Sequence, residues 1–143
     1  MDQRRSEMKL IIDASFIASL LLPGKAADES ASQLEQINEG RAVAPALWQL
    51  EVANLLLTAL RRKRIDASEF ARILEAVDSL PVILQQALTA KQRGDLLHLA
   101  RKHDLGAYDA AYLELALRLC LQLATFDGRL IRAARAEGAL VAG

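Results

Sequence analysis

Five short apolar runs, separated by longer stretches of helical periodicity, set what this chain can become. The runs are "MKLII" just before Asp13, "RAVAP" (41–45), "LPVILQ" (80–85), "LQLATF" (121–126) and "ALVA" (139–142). Each reads as a strand covered on both faces, because apolar residues follow one another rather than alternate with polar ones. Helical stretches fall at about 26–39, 45–63, 66–78, 90–104, 107–119 and 127–137. Strands that alternate with helices imply a parallel sheet between helical layers. The expected fold is therefore α/β, a three-layer sandwich with a five-stranded parallel sheet flanked by helices.

The chain's 143 residues suit one domain, long enough to bury roughly two-thirds of the surface its unfolded form exposes. Its 18 basic residues balance its 18 acidic ones, so any site for a polyanion must be local rather than a global field. No apolar run reaches the roughly eighteen residues of a membrane span. Arg4 and Arg5 ahead of "FIASLLL" faintly resemble a secretory signal, but Asp13 interrupts the apolar region and no small-x-small cleavage site follows promptly. A cytoplasmic protein with no membrane partner is expected. Met1–Glu7 is polar and aperiodic and reads as a tail, with the domain proper at 8–143. The single cysteine, Cys120, excludes an intramolecular disulfide and a cysteine-based zinc cluster, and reads as a small core residue.

Asp13 ends the first strand and Asp127 ends the fourth. In open parallel sheets, ligands bind beyond the carboxyl ends of the strands, where the strand order reverses. Both aspartates belong to that edge, although Asp13 or Ser15 could equally cap the next helix, and Asp127-Gly128 could be a turn.

Two helices carry further acids. On the helix around "PALWQLEVANLLLTALRRKR", Glu51, Asn54, Thr58 and Arg62 share one narrow polar stripe, and apolar residues take nearly every other direction. Such a helix is expected to be buried on most sides, against the sheet and another helix or subunit, and its stripe is either a solvent ridge or the wall of a cleft. On "AYDAAYLELALRLC", the i,i+4 pair Glu114 and Arg118 marks the expected solvent face. Asp109 lies opposite, in the column of Tyr112, Leu113, Ala116 and Cys120. An acid in the first helical turn suits the dipole, but a dipole partner has no need to face inward. A buried carboxylate is costly unless it is paired or holds a metal.

Asp13, Glu51, Asp109 and Asp127 can thus be aimed at one crevice, with no buried cation in the sequence to match them. Oxygen-only ligands suit Mg²⁺ or Mn²⁺ better than zinc. A hard ion held this way can activate water and neutralise a phosphodiester, the chemistry of metal-assisted nucleases.

"LIIDASFIASLLLPG", "APALWQLEVANLLLTAL", "LGAYDAAYLELALRL" and "LQLATFDGRLIRAA" together resemble the successive motifs of PIN-domain proteins, especially the VapC-type ribonuclease toxins of toxin-antitoxin pairs. The resemblance runs from Met8 to the C-terminus and implies the strand order 3-2-1-4-5. It further implies that Asp13, Glu51, Asp109 and Asp127 are the acidic quartet holding Mg²⁺ or Mn²⁺, with Ser15, Asn54 and Thr125 as supporting polar groups. It implies an RNA substrate, a cognate antitoxin protein and a homodimer as well.

An acidic metal site needs basic residues at its rim to hold a phosphate backbone. Arg61, Arg62, Lys63 and Arg64 are the densest candidates for RNA contact; Arg129, Arg132 and Arg135, and Lys91 and Arg93, are others. The same cations could simply favour a helix C-terminus or face water. His98 and His103 read as surface residues, and a carboxylate-metal mechanism has no need of either. The leading expectation is a metal-dependent endoribonuclease; the alternative is a PIN-like module that binds metal or RNA without cutting. A phosphoacceptor signalling domain shares the layered plan, but "LPVILQQ" offers no acceptor aspartate and "ALVAG" no lysine.

Overall fold

A computed structural model describes residues 9–23 and 31–142; the predicted tail, Met8 and the start of the helix expected at 26 lie outside the described residues. The strands are β1 Leu10–Ile12, β2 Ala42–Pro45, β3 Val82–Gln85, β4 Gln122–Ala124 and β5 Val141–Ala142. The helices are α1 Ala14–Leu21, α2 Ala31–Asn38, α3 Trp48–Arg61, α4 Ala67–Asp78, α5 Ala90–His103, α6 Ala107–Leu119 and α7 Gly128–Ala136. All four strand pairings are parallel and the order is β3-β2-β1-β4-β5, as expected.

β1, β2 and β4 are almost wholly buried, whereas the edge strand β3 is half-exposed and leaves Ile83 open to solvent. Central strands are therefore covered on both faces, but the same kind of apolar run at the edge is not. Helix α6 packs across β2, β1 and β4, with α5 and α7 beside it, while α1 packs on α3 and α3 on α4. Among the described residues no helix is long and apolar enough to cross a membrane.

Several helices stop on a residue of left-handed backbone, which turns the chain back into the sheet. Glycine supplies it at Gly40 and Gly138, both at φ +80°, where no Cβ penalty arises. Cys120 does the same work after α6 at φ 54°, so that Leu121 N–H reaches the Ala116 carbonyl. That position lies outside the helix and is exposed, so Cys120 is not the core residue its helical column predicts.

The pair expected on the solvent face of α6 is also placed differently. Every residue from Ala110 to Ala116 is buried, Glu114 among them at 4% exposure. Glu114 is held by a two-pronged contact from Arg118, Nε to Oε2 at 2.7 Å and Nη2 to Oε1 at 3.1 Å. An i,i+4 ion pair marks a solvent face only when the helix has one, and α6 is enclosed nearly all round.

Helix α3 departs in the opposite direction. Trp48, Val52, Leu56 and Ala59 are buried, but Leu50 is 78% exposed and Leu57 is partly exposed beside the exposed Asn54. The stripe that carries Glu51 therefore borders an open apolar surface in this single chain.

Candidate active site

The register of the central strands builds the site's floor. Ile12 pairs with Ala124, so the next residues, Asp13 and Thr125, leave the sheet side by side. Asp13 N–H donates to the Ala124 carbonyl at 3.2 Å, and the Thr125 hydroxyl donates to Asp13 Oδ2. Asp13 Oδ1 accepts from the Phe16 backbone N–H at 2.7 Å and from the Ser15 hydroxyl at 2.9 Å, which makes it the N-cap of α1. The capping alternative was sound, but it does not compete with a place in the pocket: the same carboxylate does both. Asp13 is only 5% exposed and so is fixed in one orientation.

Asp127 repeats the arrangement on the neighbouring strand. It caps α7 by accepting from Arg129 N–H at 2.9 Å, and its own N–H donates to Thr125 Oγ1 at 3.0 Å. Thr125 thus links the two strand-end aspartates. The rings of Phe16 and Phe126 stack with centroids 4.9 Å apart, tying the two loops together.

Glu51 and Asp109 enter from helices α3 and α6. Tyr112, one turn beyond Asp109, donates its hydroxyl to Glu51 Oε1 and joins the two helices across the cleft. This tyrosine was not among the expected site residues, although its place in Asp109's inward column was the available signal. Burial and the Glu51 carboxylate push its phenol well above the ordinary range.

Asp13, Ser15, Glu51, Asn54, Asp109, Tyr112 and Asp127 line a single pocket of about 180 Å³. Thr125 stands behind Asp13 at 1% exposure rather than in the wall. Larger hollows exist, but none gathers these carboxylates. Arg61, Arg62, Lys63 and Arg64 are exposed at the far end of α3 and none lines the pocket. Roughly three helical turns, or ~16 Å at 1.5 Å per residue, separate Glu51 from Arg62. The basic residue brought nearest in sequence to the acids is Arg129, whose N–H bonds Asp127.

The electrostatics are those of like charges held together. Burial raises the pKa of Asp13 above the ordinary range, only partly offset by its hydrogen bonds from Thr125, Phe16 and Ser15, and Asp109 raises it further. Burial raises Glu51 too, against the Tyr112 bond and with help from Asp109 and Asp13. Asp109 rises through burial and through Asp127.

As placed, no three His, Cys, Asp or Glu side chains among the described residues converge closely enough to hold a metal ion. The donor set nevertheless fits a hard cation. Glu51 Oε2, Asp127 Oδ2 and both oxygens of Asp109 have no hydrogen-bond partner among the described residues, and no Lys or Arg pairs with any of the four acids. Free carboxylate oxygens facing one small polar pocket are what a divalent ion needs and what a folded chain otherwise avoids.

His98 is exposed as expected, but His103 is not a plain surface residue. Its side chain is 13% exposed and its Nε2 lies 2.6 Å from Glu137 Oε2.

Comparison with known proteins gives the same fold and family. The PIN domain profile matches residues 10–136. Ribonuclease VapC3 of Pyrobaculum aerophilum is 33% identical over 123 residues, 86% of this chain and 92% of the relative. Among solved structures, PAE2754 from Pyrobaculum aerophilum superposes with a TM-score of 0.71 at 23% identity, covering 94% of this chain and 90% of its own. VapC20 of Mycobacterium tuberculosis, a sarcin-ricin loop cleaving toxin, gives 0.62 at 19% identity, covering 87% and 95%. These two share the fold; the profile and the 33% identical relative carry the family. A parallel sheet that reverses its order at β1 and β4, four acids around the reversal, and a family profile spanning nearly every element lead to one assignment: the chain belongs to the PIN domain family.

Proposed function

We propose that the protein is an endoribonuclease of the VapC kind, the toxin of a toxin-antitoxin pair, with Asp13, Glu51, Asp109 and Asp127 holding Mg²⁺ or Mn²⁺. The observation that carries this reading is the pocket at the strand-order reversal, which four carboxylates line without a cation. The relationship to Ribonuclease VapC3 supports RNA as the substrate.

An ion bound among these oxygens would neutralise charge on a scissile phosphodiester and lower the pKa of water beside it. The chain's own residues have separable tasks. Asp13 is the fixed member, clamped by Thr125, Ser15 and Phe16 N–H. Glu51 is oriented by Tyr112, and Asp127 by the first turn of α7. Asp109 makes no hydrogen bond among the described residues, which leaves both its oxygens available to the ion. Asn54, exposed at the mouth one turn beyond Glu51, is placed to contact the RNA chain.

A cognate antitoxin and a second copy of the chain are the protein partners of this reading. The exposed Leu50 and Leu57 on α3 offer apolar surface for such contacts. The test is cleavage of structured RNAs, transfer and ribosomal RNA included, by purified protein with Mg²⁺ or Mn²⁺. Cleavage lost on chelation and in Asp13→Asn is expected. Cation-dependent RNA binding without any cleavage would instead select the non-catalytic module.

A further inference from the structure

A second hollow, of about 390 Å³, begins at Arg129, two residues after Asp127, and its chemistry is opposite. It is walled by Arg129, Arg132, Ala133 and Ala136 of α7 and by His103 and Asp104 at the end of α5. Arg129 and Arg132 are three residues apart and so share a helix face, which Ala133 and Ala136 continue toward the C-terminus. Two alanines there leave space between α7 and the α5–α6 turn, and two long cations stand at the other end of that space.

Neither arginine is used by the fold. Both are exposed, and neither side chain has an ion-pair or hydrogen-bond partner among the described residues. Lys102, by contrast, is committed to Glu137 at 2.8 Å, and so is His103 at 2.6 Å, which fixes the imidazole in the wall. Asp104 contributes one negative charge, less than the two guanidinium groups supply.

The position of the arginines matters as much as their charge. Arg129 lies two residues after Asp127 and donates its backbone N–H to that carboxylate. Arg132 folds back along the helix, so that its Nη1 comes within 3.5 Å of where a Gly128 Cβ would stand. Its guanidinium therefore lies against the residue that follows Asp127.

We propose that this hollow is a phosphate subsite: Arg129 and Arg132 hold a backbone phosphate of the RNA that flanks the scissile one. This rests on the ribonuclease reading and adds to it the residues that set the strand's path out of the acidic pocket. An acidic centre repels a polyanion, so a pair of unused arginines two and five residues after Asp127 resolves a conflict the four carboxylates create. Guanidinium forks suit phosphate oxygens, which accept two parallel hydrogen bonds.

The test is binding of a short labelled single-stranded RNA in Ca²⁺ between about 50 and 200 mM salt, the range over which phosphate contacts weaken most visibly. Arg129→Gln with Arg132→Gln is expected to raise Kd about tenfold and to flatten the log-log salt slope by roughly 1.4, about 0.7 per lost single-strand phosphate contact. Arg129→Lys with Arg132→Lys should keep the slope, and Arg72→Gln on α4, the loss of one positive charge elsewhere, should leave both quantities unchanged. Cleavage in Mg²⁺ by wild type and Asp13→Asn is scored separately. Wild-type cleavage together with an unchanged Kd and slope in the glutamine pair overturns the subsite alone. A wild-type protein that neither binds nor cuts RNA overturns both readings. Loss of polyglutamate binding with RNA binding intact would assign the hollow to an acidic partner and overturn the subsite as well.

Discussion

The chain handles its buried and half-buried carboxylates in two ways. Outside the acidic pocket, buried Glu114 is gripped by Arg118, and half-buried Glu137 receives Lys102 and His103. Hydrogen bonds from those two partners hold Glu137 below the usual carboxylate range. At the sheet edge the order is reversed. Asp13, Glu51 and Asp109 have no cation within reach, stand near one another and near Asp127, and are raised chiefly by burial. The same sequence that neutralises its structural acids leaves these four unneutralised. The proposal of an ion from outside rests on that difference, since an unpaired buried charge is otherwise a cost to folding.

The comparison predicts effects of different kind and sign. The largest belongs to the acidic pocket: Asp13→Asn should lower RNA cleavage roughly a thousandfold, about 4 kcal/mol of transition-state stabilisation, in a protein that still folds, because an asparagine oxygen can still cap α1. Cleavage near the wild-type rate in that variant would remove the pocket from the mechanism.

The next effect is on stability alone. Arg118→Ala strands the Glu114 carboxylate at 4% exposure and should cost about 2 kcal/mol in urea unfolding, less than a fully enclosed pair because Arg118 is partly open to water. A loss below the error of the measurement would mean that Glu114 is not a paired structural acid.

Opposite pH responses follow from the two directions of pKa shift. Glu137 is lowered in the folded state, so the stability it adds is present above the ordinary carboxylate range and lost as the pH falls through its folded pKa. Asp13, Glu51 and Asp109 are raised, so their contribution is present below that range and lost as the pH rises through their folded pKa values. Glu137→Gln should therefore cost about 0.5 kcal/mol at pH 7, discounted for solvent screening, and nothing in acid below both pKa values. Asp109→Asn should do the reverse, raising the metal-free melting temperature at pH 7 by roughly 2 °C while removing any rise induced by Mn²⁺. Thermal melts of both variants across pH, with and without Mn²⁺, separate the two classes; slopes of one sign would erase the distinction.

Much of this was legible in the residues. Alternating apolar runs and helical stretches led to a parallel sheet, and the family motifs to its order, which the structure has. Asp13 and Asp127 could be placed from strand ends, and Glu51 and Asp109 from helical angles, because each of these is a local property of the chain. What escaped depended on how elements pack. Glu114 looked solvent-facing by its spacing from Arg118, yet α6 crosses three strands and lies under two helices, so even its charged side is enclosed. Tyr112 reaches Glu51 across 61 positions of sequence, a partnership no local period encodes. Cys120 shared a helical column with core residues, but the helix ends before it. The wheel of α3 was nearly all apolar and implied burial on most sides, and only the tertiary packing shows Leu50 and Leu57 open to solvent.

Titration of metal-free protein with Mn²⁺ at pH 7, followed by the loss of the free-ion paramagnetic signal, tests the central claim most directly. Saturable binding by wild type that is lost or weakened at least tenfold in Asp13→Asn and Asp109→Asn, and kept in Glu137→Gln, is the predicted result. Absence of saturable binding, or equal binding by all four proteins, would contradict an ion site among these carboxylates.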